Sequence, residues 1–371
     1  MENVTHTLLG AALAQTGLKR VTPLASSTLF LSANIPDIDI VSLAFGRFAY
    51  IEWHRGITHS LFGFPVVAIL LGAAIHYVSK VLWRRGRIEA PGRLLPLTLL
   101  SLIGTATHPL LDFTNAYGWR PFLPWTSDWH YIDLTFVLDP WIWLGLGGAL
   151  FLSTAVTDRQ IAYWLAGGIV AGTLIVLSHV SLSIKVIWVL VALSLLAMRL
   201  KWGSVDERSA RLLNLAAIGA MLVYIAALAA LQGVALFRAA EVAQVAVAAN
   251  EQIVEVNALP IEANPFTWRA VIVTESAFHV GDVEINDRMG GHSQLTRYPR
   301  LTGDVASFEA ALTAKDVRTF LRFARFPVAR VFEKSDGQRE VEIEDIRFGV
   351  VSNAFRIRVK LDRDLKPIEV L

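Results

Sequence analysis

The sequence predicts a mainly α-helical integral membrane bundle of about 7–8 membrane segments, followed by a small α+β domain. Three observations carry that expectation. Of 371 residues, 54% are hydrophobic and only 18% charged, with a mean hydropathy of +0.48; soluble domains carry about 25% charged residues. The deficit falls before Ala239, where apolar runs approach the roughly 20 residues a helix needs to cross a bilayer. From Ala239 onward, β-branched and aromatic runs with partial alternation take over, the pattern of half-buried strands.

In chain order the apolar runs are Thr7–Leu18, Val21–Ile35, Leu61–Tyr77, Leu94–Leu111, Val137–Val156, Ile161–Leu177, Leu182–Leu200 and Leu212–Phe237. The first two are short for full spans and read as tilted, re-entrant or covered by neighbours. Gly10, Gly17, Gly63, Gly72 and Gly104 permit close helix packing. Trp119, Trp125, Trp129, Trp141 and Trp143 surround the start of the fifth run, as an interfacial belt does. Strands are expected at Ile253–Val256, Trp268–Thr274, Phe278–Ile285, Val328–Glu333, Glu340–Phe348 and Phe355–Leu361. A helix is expected at Lys315–Phe323, with Thr313 as its cap. The organisation read from these runs is a metal-site helical membrane domain over 1–156, additional transmembrane helices over 157–238, and an extracytoplasmic α+β domain over 239–371.

Charge excludes some functions and orients the rest. A net charge of +2 is too small for nucleic-acid binding. Without cysteine there is no disulfide, thiolate ligand or cysteine nucleophile. No basic segment precedes the first apolar run, so it does not read as an ordinary signal peptide. Lys19, Arg20, the basic residues from Lys80 to Arg93, Arg159 and those from Arg199 to Arg211 fall on one side. The smaller set on the other side is Arg47, Arg55, Arg120, Lys185 and Arg238. The positive-inside rule puts the larger set in the cytoplasm, in a multi-pass protein of the inner membrane. Every candidate ligand then falls on the extracytoplasmic face.

Those candidates sit at the ends of apolar segments, where ionisable groups are costly unless paired, hydrated or bound to a cation. His108-Pro109-Leu110-Leu111-Asp112 places an imidazole and a carboxylate four apart, one helical turn on one face. Asn115 follows as an outer hydrogen-bonding partner. In Asn34-Ile35-Pro36-Asp37-Ile38-Asp39 an extended backbone would point both acids the same way. His54 and His59 are five apart around Gly56, which suggests a turn, with Thr58 capping the next helix. Arg55 between them could hold a phosphate or carboxylate bidentately. His6 precedes the first helix, and any of His130, Asp133 and Asp139 could complete the site; Asp139-Pro140 also reads as a helix start. His6, Asp37, Asp39, His54, His59, His108 and Asp112 together form a nitrogen and oxygen donor set suited to zinc.

Thr5-His6 before a glycine-containing helix, Pro36-Asp37-Ile38-Asp39, His54-Arg55-Gly56-Ile57-Thr58-His59-Ser60 and His108-Pro109-Leu110-Leu111-Asp112-Phe113-Thr114-Asn115 resemble the YdjM-like family, membrane-bound proteins classed as metal-dependent hydrolases. The likeness covers the chain to about residue 145. The family is distantly similar to the zinc-dependent phospholipase C and P1-nuclease group, which binds zinc through histidines and aspartates of a helical bundle and cleaves phosphodiesters. By that resemblance His108 and Asp112 match a helix-borne His-x-x-x-Asp element, and Asp39 with His54 an upstream acid–histidine pair. The resemblance implies a hydrolase in which a metal activates water, Asp37 or Asp39 acts as base and Arg55 holds the substrate anion. Its substrate would be a phospholipid or lipid-linked phosphate at the headgroup layer. The alternatives are a metal or proton transporter, disfavoured because His76 is nearly alone deep in the segments, and a non-catalytic membrane anchor with a structural metal site.

Overall fold

A computed structural model describes the chain except residues 204, 249, 287–293, 335–336 and 349–354. It divides into two compact units. The first comprises Met1–Ile38, Arg55–Ala230 and Pro260–Pro265; the second comprises Asp39–His54, Leu231–Leu259 and Phe266–Leu371.

The first unit is helical. Its helices are α1 (Asn3–Gln15), α2 (Ala25–Ser32), α4 (Gly63–Arg84), α5 (Leu94–Phe113), α6 (Pro140–Thr154), α7 (Asp158–Leu177), α8 (Leu182–Trp202) and most of α9 (Glu207–Ala246). Among the described residues α4, α5, α7, α8 and α9 are long and apolar enough to cross a membrane. A sixth span is available if α2 and the following Ile35–Phe45 turn form one broken segment. That is fewer than the eight apolar runs suggest. The first and fifth runs become helices of 13 and 15 residues, about 20 Å at 1.5 Å per residue and short of a roughly 30 Å core.

Local chemistry sets the boundaries. Asp139 caps α6, accepting from Trp141 N and Ile142 N, with Pro140 in the first turn where its missing N–H costs nothing. Thr157 and Gln160 form a reciprocal capping box on α7. Glycines set the helix spacing. A Cβ on Gly10 would lie 2.7 Å from the Leu29 carbonyl oxygen of α2, and one on Gly104 would overlap the Ser32 side chain of α2. A Cβ on Gly72 would come within 2.6 Å of Thr98 Cα on α5. Each of these glycines therefore lets two backbones meet. Met1, Leu9, Leu111, Ile142, Leu146 and Leu150 form an apolar core shared by α1, α5 and α6.

The second unit holds two sheets. β1 (Ile253–Ile261), β2 (Asn264–Thr274), β3 (Ala277–Glu284) and β4 (Thr296–Pro299) make a four-stranded sheet in that order. β5 (Leu301–Thr302), β6 (Pro327–Glu333), β7 (Arg339–Asp345), β8 (Arg356–Leu361) and β9 (Pro367–Val370) make the other, with β5 parallel to β6 and the later pairs antiparallel. Along β8, Ile357, Val359 and Leu361 are fully buried while the arginines and lysine between them are not, the alternation that marked it as a strand. Two helices, α10 (Val305–Ala311) and α11 (Lys315–Phe323), join this unit, together with α3 (Arg47–Trp53).

Some local expectations are corrected. Residues 35–45 form a 3-10 helix, not the extended stretch expected to point Asp37 and Asp39 the same way. Thr313 does not cap α11, whose cap residue is Ala314 with no side-chain hydrogen bond. Ile346–Phe348 is a 3-10 turn beyond the end of β7. The short elements α3, α10, β4, β5 and β9 were not anticipated; each has seven residues or fewer and too little sequence to show a period.

Candidate metal centre

Four segments of the helical unit bring ionisable groups to one place. His6 lies in the first turns of α1, and Asp37 follows α2. His59 ends a 3-10 turn, Ile57–His59, that leads into α4; His108 and Asp112 close α5. Gly10 stands one turn after His6 and Gly104 one turn before His108, so the close approaches to α2 lie beside the ligands. The 3-10 turn depends on glycine and serine. A Cβ on Gly63 would overlap the Ile57 carbonyl, and Ser60 Oγ accepts from Gly63 N at 2.9 Å. Ser60 thus serves the start of α4, the role expected of Thr58, which instead places Oγ1 3.1 Å from His59 Nδ1.

Two groups compact enough to hold one ion lie in this unit: His6, His108 and Asp112, and Asp37, His59 and His108. They share His108. His6, His59 and His108 are fully buried, Asp112 is 1% exposed, and Asp37 is 14% exposed. His6 Nε2 lies 3.4 Å from Asp112 Oδ1, His59 Nε2 3.4 Å from Asp37 Oδ1, and His108 Nε2 3.3 Å from Asp37 Oδ1. Asp112 Oδ2 is 3.7 Å from the Nε2 atoms of both His59 and His108. The His6 and His108 rings stack at 3.7 Å.

The tautomer of His108 decides what this cluster can bind. His108 Nδ1 lies 2.6 Å from the Ala33 carbonyl oxygen, which can only accept, so Nδ1 carries the proton. A neutral ring then turns its Nε2 lone pair toward two carboxylates, and Nε2 has no hydrogen-bond partner. Neither ring nitrogen of His6 has one either. Lone pairs facing carboxylate oxygens in a buried space repel unless a cation lies between them. The residues therefore fit a metal ion on their own chemistry.

Arg55 takes a different place from the substrate-facing one expected. Its φ is +51°, a conformation few non-glycine residues adopt, and its side chain is 2% exposed. Nη2 donates to Asp112 Oδ1 and Nε forms an ion pair with Asp112 Oδ2, each at 2.9 Å. Nη1 reaches the Gly118 carbonyl at 2.8 Å and Asn115 Oδ1 at 3.1 Å, and the guanidinium lies 4.5 Å over the Tyr117 ring. Asn115, expected as an outer partner, thus touches Arg55 and also accepts from Tyr117 N at 2.9 Å. The Met1 backbone nitrogen also contacts Asp112 Oδ1.

The remaining candidates fall outside these two groups. Asp39 and His54 belong to the second unit and pair with each other at 3.0 Å. His130 is exposed and exchanges backbone hydrogen bonds with Trp119. Asp139 is the α6 cap and also accepts from Tyr224 Oη at 3.0 Å. Asp133 is buried with φ +52°, and the compact groups include none of these three. Trp119, read as an interfacial anchor, is 7% exposed and donates from Nε1 to the His59 carbonyl at 2.8 Å, so it holds the loop that carries a ligand. Glu2 and Tyr117 were missed. Glu2 caps α1 and accepts from Trp143 Nε1 at 2.8 Å, and the acid three before Thr5 was the available signal.

Apolar spanning helices, with a buried histidine–aspartate cluster at the ends of four segments, define a polytopic membrane protein with groups that could hold a metal ion. The chain belongs to the YdjM inner membrane protein family, whose sequence profile matches residues 1–188. It is similar to the uncharacterized protein YfhP of Bacillus subtilis (strain 168), 28% identical over 178 residues, which is 45% of this chain and 47% of that protein. The match thus spans about half the length of that relative. No solved structure matches the chain.

Proposed function

We propose that the protein is a membrane-bound hydrolase that uses a divalent metal, zinc by its donor set, to cleave a phosphoester. A phospholipid or lipid-linked phosphate is the substrate class. The observation that carries the reading is the meeting of His6, His59, His108, Asp37 and Asp112, with the His108 Nε2 lone pair turned toward carboxylates. Imidazole nitrogens and carboxylate oxygens in a chain without cysteine suit zinc. When bound, the ion would supply Lewis acidity, polarising a phosphoryl oxygen and making water more acidic. The Ala33 carbonyl fixes the His108 tautomer, and Arg55 holds Asp112 in position. Asp37, the more exposed acid of the cluster, is the base that takes the proton from water. Asp39 and His54 enter the ligand set on the family resemblance. The site and the second unit face away from the cytoplasm on the charge count, beside lipid headgroups.

Purified protein should contain metal, and should hydrolyse bis-(p-nitrophenyl) phosphate only while the metal is present. His59→Ala and Asp112→Ala, shown to be folded, should lose metal and turnover together; full metal retention in both would sink the ligand assignment. The burial of three imidazoles and Asp112 favours one second reading, a structural metal site without turnover. Metal content with no hydrolysis of any phosphodiester tested would decide for it.

A further inference from the structure

Small residues on membrane helices are ordinarily consumed by close packing, as Gly10, Gly72 and Gly104 are. Gly147 of α6 and Gly167, Gly168 and Gly172 of α7 behave differently, although their neighbour Gly148 packs against Leu195. A Cβ on Gly167 or Gly168 would meet nothing within 4 Å, and one on Gly147 would only graze Leu8 at 3.9 Å. On Gly172 it would come no nearer than 3.5 Å to the Trp188 ring. The space these residues leave is a cavity of about 410 Å³ between α1, α6, α7 and α8. That is within the size range of ligand pockets, about 300–1,000 Å³. Its lining is aliphatic, aromatic and glycine, with no charged residue. The indoles of Trp143 and Trp188 could have offered N–H groups, but both donate elsewhere. Trp143 Nε1 bonds Glu2 Oε1 and Thr5 Oγ1, and Trp188 Nε1 bonds the Pro140 carbonyl at 3.0 Å. With those two indoles engaged and no charged residue in the lining, the space offers a polar ligand few partners.

We infer that this cavity is a binding site for one acyl chain of a membrane phospholipid. Hydrocarbon is what the bilayer supplies to an uncharged cavity beside the span-length helices α7 and α8, and an extended chain matches an opening lined along neighbouring helices. α1 gives the site a consequence. Val4 and Leu8, one turn apart, line the cavity, while His6 points from the other face of the same helix into the metal cluster. An acyl chain in the cavity supports α1 from behind His6. The inference stands on the cavity and does not depend on hydrolysis.

The test uses the full chain in nanodiscs containing a phospholipid with a photoreactive diazirine on its acyl chain, with adducts mapped by peptide mass spectrometry. Adducts should concentrate on lining residues such as Phe151 and Ala192, above the level at Leu70 and Leu95, exposed positions on α4 and α5 that report lipid in passing contact. Gly168→Phe and Gly147→Leu fill the space, and each should reduce cavity labelling to the Leu70 level while leaving Leu70 unchanged. Equal labelling of cavity and exposed positions, or cavity labelling unchanged in both variants, overturns the proposal. If both variants fold poorly, the wild type decides alone. Cavity labelling should persist in detergent that abolishes labelling at Leu70, and parallel loss of the two overturns the site.

Discussion

Arg55 meets both oxygens of Asp112 at 2.9 Å inside a bundle of apolar helices, donating from Nη2 to Oδ1 and forming an ion pair through Nε with Oδ2. The same carboxylate faces His6, His59 and His108. Asp112 therefore faces a permanent guanidinium on one side and imidazoles that could hold a cation on the other. Removing one partner of a buried pair leaves the other charge uncompensated, at a cost of about 3–5 kcal/mol. Arg55→Ala should lower the detergent melting temperature accordingly and weaken metal retention. The double variant Arg55→Met/Asp112→Leu removes both charges and should recover most of the stability without recovering metal. A double variant no more stable than Arg55→Ala would show that the pair is not the source of the loss. The gathering of these candidate residues was legible because residue type and position at helix ends carry the signal. His108 and Asp112 are one turn apart on any helix, and α5 sets them on one face. The use of Arg55 was not legible. An arginine beside two histidines reads as an anion clamp, and only the left-handed backbone at Arg55, with acceptors from Asn115 and Gly118, turns it inward.

Helix contacts place these residues through glycine. Gly10 and Gly104 let α1 and α5 both reach the backbone or side chains of α2, each within a turn of a histidine ligand. Gly104→Leu would force α2 and α5 apart at Ser32 and should cost about 1–3 kcal/mol. Metal content should fall with the melting temperature; full metal retention would mean the spacing of these helices does not set the ligand geometry. Sequence spacing was enough to mark these glycines. It did not show that residues 35–45 wind as a 3-10 helix or that Arg47–Trp53 packs on α11, because those outcomes depend on distant partners such as the Arg322–Glu52 pair at 3.2 Å. In the second unit, Glu251 follows the end of α9 and joins three strands. It meets Thr274 of β2 at 2.9 Å, His279 of β3 at 3.0 Å and Arg297 of β4 at 3.0 Å. The His279 contact, with those of Thr274 and Arg297, holds its carboxyl down at about 2. A depressed value means the clasp stabilises fully above the ordinary carboxylate pKa of 4.5 and is lost as pH falls toward about 2. Glu251→Gln should remove that part of the acid dependence while leaving the neutral-pH metal content unchanged. Melting curves across this acid range check it; an unchanged pH slope would assign the dependence to other groups.

At the scale of the whole molecule, the antiparallel path of the helices and the distribution of basic residues are independent sources of orientation. His6 lies near the start of α1, Asp37 follows α2, His59 precedes α4, and His108 with Asp112 ends α5, so successive segments deliver the candidate residues to the same end. The basic stretch from Lys80 to Arg93 covers the end of α4 and the connecting loop to α5, at the opposite ends of these helices. Cytoplasmic loops retain Lys and Arg, so that loop should be cytoplasmic and the ligand end external. α9 has 40 residues, about 60 Å of helix, twice a roughly 30 Å hydrocarbon core. Its basic start, Arg208 and Arg211, should therefore lie inside and its far end outside with the sheets that follow. The natural chain has no cysteine, so single cysteines report accessibility without background. Ser127→Cys, exposed in the loop between α5 and α6, should react with a membrane-impermeant maleimide in intact cells. Glu89→Cys, exposed in the loop between α4 and α5, should react only after permeabilisation, and its substitution leaves the basic residues untouched. Alkaline phosphatase fused after Leu371 should be active. The reverse labelling pattern would turn the site to the cytoplasm and remove headgroups of the outer leaflet as substrates. Outward labelling at Ser127→Cys with an inactive fusion would instead keep the metal site outside and require the second unit to lie on the cytoplasmic side of α9.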